Sequence, residues 1–184
     1  MSIATEQDIE TEDSYRLHRR FDRIGRLVGD EKMARLLQAK VMVIVLGGVG
    51  SMAAEALSRS GIGQLWLVDF DKVCITNSNR QLQAMQGTIG KFKADILAER
   101  LQKINPQAQV EALRLFYNER TSERLLGFEP DYIVDCIDNI TAKCHLIDAC
   151  RQRQLPLICS TGASGRMDPS QIKIADLAET RVDP

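Results

Sequence analysis

Short runs of Val, Ile and Leu alternate along the chain with more polar stretches. The runs predict strands near 41–46, 64–69, 109–115, 131–136 and 156–160. The segments between them predict helices near 51–60, 90–104, 121–127 and 139–153. Strands that are apolar throughout, without alternation, are typical of parallel sheets that helices cover on both faces. The pattern therefore predicts an α/β protein with a Rossmann-like, mostly parallel sheet.

The two ends of the chain differ from this central pattern. Residues 1–14 are polar and acidic, which predicts a flexible, solvated tail before a single domain over 15–184. Apolar residues recur at helical spacing from Tyr15 to about Gln38, with a break at Gly29, so an N-terminal helical segment is expected. Near the other end, Gln171 to Ala175 predicts a last strand.

Composition limits the classes of protein that are compatible with the sequence. A hydrophobic content of 44% and a charged content of 27% are typical of a globular domain. The net charge of -1 argues against general polyanion binding, and the lack of a long apolar run predicts no transmembrane segment. The five cysteines contain no C-x-x-C pair, which favours reduced thiols and a cytoplasmic location over a zinc site.

A glycine-rich turn follows the first predicted strand. Gly47, Gly48 and Gly50 would let backbone N–H groups approach a phosphate, and Ser51 could cap the helix that follows. On the glycines alone, a tight turn without a ligand remains an alternative. A full dinucleotide pattern would have a further glycine where this chain has Val45.

Charged side chains follow the next strand. Asp69 comes 19 residues after Gly50, the separation at which an acidic side chain binds a ribose. An ordinary acidic turn is the alternative, and both a nicotinamide dehydrogenase and an ATP enzyme would use such a residue. Arg80 and Lys93 separate the two enzymes, because a triphosphate needs cations and hydride transfer does not. The competing interpretation is a solvated pair of cations.

A carboxylate follows the fourth predicted strand. Ligands of open α/β sheets bind beyond the carboxyl ends of the strands. Asp138 would therefore lie where a magnesium ion that bridges phosphates needs a ligand. Alternatively, Asp138 or Asn139 caps the next helix, and one of the two is expected to do so.

Four motifs in sequence order resemble one superfamily. GGVGS, DFDKV with NSNRQ, GKFK and DCIDN are similar to motifs of the adenylating enzymes related to ubiquitin-activating enzymes, which include molybdopterin- and thiamine-pathway adenylyltransferases. The stretch ICSTGASGRMDPSQIKIADLAETRVDP resembles the tRNA threonylcarbamoyladenosine dehydratases. The resemblance covers roughly Arg16 to Pro184.

The resemblance implies ATP and Mg²⁺ as cofactors and assigns roles to individual residues. The implied nucleotide-binding residues are Gly47, Gly48, Gly50, Asp69, Asp71, Asn77, Arg80, Gln81, Lys93 and Asp138. Catalytic roles are implied for Arg80, Lys93 and Asp138, the last also as a metal ligand. Arg23 matches a family arginine that reaches the ATP of the other subunit, which implies a homodimer.

The implied reaction is the ATP-dependent dehydration of a modified tRNA. The threonyl carboxylate of threonylcarbamoyladenosine is adenylated, and an internal nitrogen or oxygen then closes a ring and expels AMP. The resemblance also implies a cysteine desulfurase or another sulfur-transfer partner. Two alternatives stay open: an adenylyltransferase for a ubiquitin-like or sulfur-carrier protein, and a catalytically weak nucleotide-binding dimer module.

Three features modify these expectations. Val45 replaces the first family glycine, which predicts a displaced turn and weaker ATP binding. The sequence stops at Pro184, so we expect the domain to be incomplete at its C-terminal end. Residues 16–40 contain eight basic and three acidic residues, and this basic segment could bind tRNA phosphates or form dimer contacts.

Overall fold

The computed structural model describes residues 19–163 and 165–180, which form a five-stranded sheet with flanking helices. The strands are β1 (Lys40–Ile44), β2 (Gln64–Val68), β3 (Gln109–Leu113), β4 (Tyr132–Asp135) and β5 (Leu157–Cys159). Their spatial order is β3-β2-β1-β4-β5, and each neighbouring pair is parallel. The predicted strands that correspond to the five apolar runs and the Rossmann-like sheet are therefore confirmed.

The strand order reverses at β1, which pairs with β2 on one side and β4 on the other. Ile44, the last residue of β1, lies beside Val68 of β2 and Asp135 of β4. A sheet with this reversal opens a ligand crevice beyond the carboxyl ends of the two central strands. The residues that follow Ile44, Val68 and Asp135 therefore share one edge of the sheet.

Helices cover both faces of this sheet. In the described residues the α-helices are α1 (Asp22–Val28), α2 (Asp30–Gln38), α3 (Gly48–Arg59), α4 (Lys93–Ile104), α5 (Glu119–Leu126) and α6 (Ile140–Gln152). Alternate residues of β1 belong to two hydrophobic cores, one on each face of the sheet. Val43 packs with α3 and α4, whereas Ile44 packs with α5 and α6. This burial on both faces explains why the strand is apolar without alternation.

The N-terminal helices lie at the amino edge of the sheet, opposite the glycine turn. Gly29, with φ of 83°, separates α1 from α2, so the predicted break is confirmed. Phe21 and Met33 lie against Gly61, just before β2 begins, and the N–H of Gly63 donates to Leu36 O at 3.2 Å. The basic segment is thus one strand length away from the carboxyl edge.

One predicted strand is absent from the structure. Residues 172–176 form no strand, and a 3₁₀ turn (Pro169–Gln171) precedes them. Ile172 and Ile174 are 78% and 91% exposed, because no described strand pairs with this segment and its apolar face stays open. The predicted tail at 1–14 and the start of the helical segment at 15–18 lie outside the described residues. No described helix is both long and apolar enough to cross a bilayer.

Candidate nucleotide-binding site

The glycine turn leads into a helix whose first N–H groups are free. Helix α3 begins at Gly48, directly after Gly47, and no side chain caps it. Within the described ranges, the N–H groups of Gly48, Val49 and Gly50 have no hydrogen-bond acceptor. Free N–H groups and the helix dipole together attract anions. The start of α3 therefore has the chemistry of a phosphate site, and phosphate binding there stays a prediction.

Ser51 does not cap this helix, contrary to the prediction. It lies inside α3, fully buried, and its Oγ accepts the N–H of Leu82 at 3.4 Å. The helix begins three residues earlier than expected, because Gly48 and Gly50 are already helical. As a result, no serine hydroxyl competes for the N–H groups at the helix start.

Val45 adopts a backbone conformation that favours glycine. Its φ is 70°, in the left-handed region, yet its N–H still donates to Val68 O at 2.9 Å. The turn therefore extends the pairing of β1 with β2 by one residue. A non-glycine residue in this region costs about 1–3 kcal/mol. The turn is formed at the expense of backbone strain at Val45.

Asp69 connects the glycine turn to the end of β2. It is only 3% exposed, its Oδ2 accepts the N–H of Leu46 at 2.7 Å, and its Oδ1 accepts the N–H of Asp71 at 2.7 Å. Burial raises the pKa of this carboxyl. Each carboxylate oxygen can accept a second hydrogen bond, so contact with a ribose hydroxyl remains chemically available.

Lys93 and Asp71 form an ion pair beside this carboxyl. The Lys93 side chain is 8% exposed, and its Nζ lies 2.9 Å from Asp71 Oδ2. The backbone joins them as well, since the N–H of Lys93 donates to Asp71 O at 2.9 Å. The positive charge of Lys93 is thus held in place by Asp71 rather than left free for a phosphate alone.

Arg80 lies directly over the glycine turn. A Cβ added to Gly48 would be 3.3 Å from the Cγ of Arg80, so the arginine stem packs against the helix start. Its Nη1 donates to Thr76 O at 3.1 Å and to Asn79 Oδ1 at 2.8 Å, and the residue is exposed. The structure therefore brings the predicted cation to the predicted phosphate site.

The two amide side chains predicted to bind the nucleotide, Asn77 and Gln81, are almost fully buried. Asn77 is 8% exposed and its Oδ1 accepts the N–H of Cys74 at 3.0 Å. Gln81 is 7% exposed and its Oε1 accepts a hydrogen bond from Gln83 at 3.4 Å. Both oxygens hold the loop together, which leaves the amide nitrogens as the groups that could donate to a phosphate.

Asp138 presents a free carboxylate at the same edge. The N–H of Cys136 donates to Ile44 O at 3.0 Å, which places the turn after β4 beside the glycine turn. Asn139 caps α6, with its Oδ1 accepting the N–H of Ala142 at 3.0 Å, so the expected cap is confirmed as Asn139. Asp138 is exposed, and within 19–163 and 165–180 its carboxylate has no partner.

The sequence interpretation missed the ion pair that supports this turn. Lys143 Nζ lies 2.7 Å from Oδ2 of the fully buried Asp135 and donates to Ser160 O at 2.9 Å. The other oxygen of Asp135 accepts the N–H of Ile137 at 2.8 Å. A lysine among the apolar positions of α6 was the signal that could have revealed it.

The carboxylate of Asp138 is compatible with magnesium. No cluster of three His, Cys, Asp or Glu side chains occurs among the described residues. Magnesium needs none, because it is usually held by one or two carboxylates together with substrate phosphates and water. Asp138 and phosphates bound at the start of α3 would satisfy that requirement.

Arg23 is far from the other predicted residues. It is exposed on α1, and its neighbour Arg20 donates to Ile104 O at 3.2 Å, at the last residue of α4. Lys93 is the first residue of that helix, whose 12 residues span about 18 Å. The structure does not bring Arg23 to the carboxyl edge of its own sheet.

The fold and this edge define a Rossmann-like nucleotide-binding domain, with a free helix start, a buried carboxylate and two cations beyond its central strands. Residues 21–175 match the family model described as the ThiF family. The chain belongs to that family.

The curated relatives and solved structures narrow the comparison. The chain is 47% identical over 165 residues to a tRNA threonylcarbamoyladenosine dehydratase of Haemophilus influenzae. The aligned region covers 90% of this chain and 63% of that protein. The Bacillus subtilis protein of the same name is 45% identical, with 89% and 65% covered. The Escherichia coli enzyme TcdA in complex with ATP superimposes with a TM-score of 0.88 and 37% identity, covering the whole chain and 72% of that structure. The chain thus spans slightly less than two thirds of these curated relatives.

Proposed function

We propose that the chain is the nucleotide-binding part of an ATP-dependent tRNA threonylcarbamoyladenosine dehydratase. The observation that carries this proposal is the free start of α3 beneath Arg80, in a fold that is similar to an ATP-bound dehydratase. The threonyl carboxylate would attack the α-phosphorus of ATP and release pyrophosphate. An internal nitrogen or oxygen would then attack the activated carbonyl, and AMP would leave with the carboxylate oxygen.

The charges at the site indicate how a triphosphate would be neutralised. Among the charged residues proposed to bind ATP, Arg80 and Lys93 are outnumbered by Asp69, Asp71 and Asp138. A triphosphate would therefore meet a site with no excess of positive side-chain charge. We infer that Mg²⁺, held by Asp138 and the phosphates, supplies the missing charge. Chelation of Mg²⁺ should then weaken ATP binding by more than about tenfold.

The position of Arg23 supports a homodimer. Arg23 lies at the amino edge, whereas the free helix start lies at the carboxyl edge of the same sheet. If Arg23 contacts ATP, that ATP must belong to a second copy of the chain. The site would then be complete only across two subunits.

The tRNA is the proposed partner of the basic segment. Arg19 and Arg20 are exposed and line an open surface depression together with Pro106 and Gln107. Exposed arginines of this kind attract phosphates in a salt-dependent manner. The substrate implies a cytoplasmic reaction. A cysteine desulfurase or other sulfur-transfer partner is proposed from the family resemblance alone, and co-purification would test it.

The central experiment incubates the chain with ATP, Mg²⁺ and threonylcarbamoyl-modified tRNA. We expect AMP and pyrophosphate to form, and the nucleoside to lose the mass of one water. Asp138→Ala should reduce the rate at least about 100-fold. The control is Asp148→Ala on α6, an exposed aspartate that bonds only Gln152 among the described residues. Unchanged activity of Asp138→Ala would refute the assignment.

The alternatives give different products. Adenylation of a small carrier protein that ends in Gly-Gly, without reaction of the tRNA, would identify an adenylyltransferase. ATP binding without turnover of either substrate would identify a nucleotide-binding module.

A mixing experiment tests the proposed dimer site. Arg23→Ala and Asp138→Ala would each be inactive, but mixed dimers would contain one intact site built from both chains. We expect re-association to restore about a quarter of the original activity, the share of intact sites in a random mixture. Activity that stays at the level of the separate variants would show that Arg23 serves no neighbouring site.

A further inference from the structure

The ion pair between Asp135 and Lys143 is buried at the carboxyl end of β4, where stability does not require it. The Asp135 side chain is 0% exposed and the Lys143 side chain 14%. Ile133, two residues earlier on the same face of β4, belongs to the apolar core that α6 covers. A buried ion pair contributes little net stability, and an apolar pair of similar volume is often at least as stable. We therefore expect this pair to fix a geometry rather than to strengthen the core.

The two oxygens of the Asp135 carboxylate join different parts of the sheet edge. Its Oδ1 accepts the N–H of Ile137 at 2.8 Å, which closes the turn that follows β4. Its Oδ2 accepts a hydrogen bond from Lys143 Nζ at 2.7 Å, and the same ammonium donates to Ser160 O at 2.9 Å, just beyond β5. Lys143 therefore connects α6, the end of β4 and the end of β5 through one charged group.

The turn closed by Asp135 carries Asp138. Ile137, directly before Asp138, is held by the hydrogen bond to the Asp135 carboxylate. Asn139, directly after Asp138, is held because its side chain caps α6. The main chain of Asp138 is thus fixed on both sides, and one of the two supports depends on the carboxylate that Lys143 neutralises.

The same turn packs against the start of α3. The N–H of Cys136 donates to Ile44 O at 3.0 Å, and a Cβ added to Gly50 would lie 3.3 Å from the Cβ of Cys136. A shift of the turn would therefore change the distance between the Asp138 carboxylate and phosphates bound at the helix start. Shared coordination by a carboxylate and phosphates tolerates little such change, because Mg²⁺ demands near-ideal octahedral geometry.

We propose that Lys143 is a positioning residue for the nucleotide site: by holding the Asp135 carboxylate on Ile137, it keeps Asp138 where Mg²⁺ and the phosphates of ATP need it. This inference rests on the proposed ATP site. Without the ammonium, the buried carboxylate would be left uncompensated and would turn away or become neutral. Either change weakens its bond to Ile137, because hydrogen bonds to charged acceptors are the stronger ones.

The test removes the charge of Lys143 and keeps the approximate length of its side chain. In Lys143→Met, hydrogen exchange of the Ile137 amide should accelerate at least about tenfold, a measurement that needs neither nucleotide nor metal. Calorimetry then gives the Kd for ATP with Mg²⁺ and with EDTA. The strengthening of ATP binding by Mg²⁺ should shrink at least about fivefold, whereas the Kd in EDTA should change less than about twofold. A residue that only supported the fold would weaken both forms of binding together.

Two controls accompany this variant. Lys143→Arg keeps the cation, so it should retain the slow exchange of Ile137 and most of the effect of Mg²⁺. Arg153→Met breaks an ion pair at the other end of α6, where Arg153 Nη2 lies 2.5 Å from Glu123 Oε2. It should change neither measurement.

A double variant separates positioning from general damage. If Lys143 acts through Asp138, adding Lys143→Met to Asp138→Ala should cause no further loss of the Mg²⁺ effect, whereas independent roles would add. If Lys143→Met does not fold, Asp135→Asn combined with Lys143→Met removes both charges and leaves none buried alone. We expect the same loss of the Mg²⁺ effect from this neutral pair. Failure of both variants to fold would mark the pair as structural and overturn the proposal.

The two proposals fail in different ways. If the unaltered chain binds ATP and Mg²⁺ strengthens binding equally in Lys143→Met, the positioning role is wrong and the ATP site stands. If exchange of Ile137 accelerates in Lys143→Met while the unaltered chain binds no ATP, Lys143 does hold the turn and the proposed function is wrong. Unchanged exchange at Ile137 refutes the positioning role in either case.

Discussion

The strain at Val45 can be measured by comparing alanine and glycine at this position. At an ordinary site, glycine is less stable than alanine by about 0.5–1 kcal/mol, because glycine loses more backbone freedom on folding. At Val45, φ is 70°, where any Cβ collides with the backbone. At position 45, the glycine variant should therefore be more stable than the alanine variant, the reverse of the usual order.

The magnitude follows from separate contributions. The left-handed conformation costs an L-residue about 1–2 kcal/mol, and both Val45 and an alanine there bear it. Glycine removes this cost but loses about 0.5–1 kcal/mol in backbone entropy, so Val45→Gly should be more stable than Val45→Ala by about 0.5–1 kcal/mol. Relative to the unaltered chain, Val45→Gly also loses the contacts of a half-buried side chain, about 1 kcal/mol. Its net change should be close to zero.

Urea unfolding of matched pairs provides the assay. Val110, in β3, is a half-buried valine with negative φ and serves as the reference position. Val110→Ala should be more stable than Val110→Gly by about 1 kcal/mol, and the order at Val45 should be the opposite, with unchanged m-values. If alanine is also the more stable residue at position 45, the valine is not strained and the reasoning is wrong.

Three further outcomes follow from neighbouring contacts. Gly50→Ala should destabilise by about 3 kcal/mol in urea unfolding, because its Cβ would lie 2.0 Å from a backbone oxygen, whereas Gly47→Ala meets no atom within 4 Å and should be tolerated. Glu55→Gln should cost about 1 kcal/mol at pH 7. The hydrogen bond from Arg100 lowers the Glu55 pKa below 4.5, so this stabilisation is present above pH 4.5 and should vanish as the pH falls through the lowered pKa. Cys74 is exposed, and the hydrogen bond from the Thr76 hydroxyl lowers the pKa of its thiol. Iodoacetamide at neutral pH should therefore alkylate Cys74 before the buried Cys150, which mass spectrometry would detect.

The fold could be predicted because its signals are local or repeated. Each apolar run became a strand, and the break at Gly29 fell where a positive φ was needed. The strand predicted from Gln171 to Ala175 is absent for a physical reason. Alternating Ile172 and Ile174 fit a strand, but a strand also needs a neighbouring backbone, and the described residues supply none. Pairing partners are not encoded in the local pattern.

The site was predictable only as a set of residue types. Spacing placed Asp69, Arg80 and Asp138 beyond strand ends, and the structure puts them at one edge of the sheet. It did not reveal that Asp71 neutralises Lys93, nor that Lys143 pairs with the buried Asp135. Those pairs join residues far apart in sequence or on opposite sides of a turn. Their geometry depends on packing, which no single motif contains.

Two independent features that lower the stability of the fold occur at the glycine turn. Val45 holds a strained φ, and Gln83, which donates to the carbonyl of the next residue, has a buried oxygen without a partner among the described residues. Each costs on the order of 1–3 kcal/mol, and the contacts of the Val45 side chain with the core offset only about 1 kcal/mol of this. Both, however, fix the Leu46 peptide directly before the start of α3. Unfavourable features at two adjacent positions therefore indicate that the sequence maintains the geometry of this turn at a cost in stability.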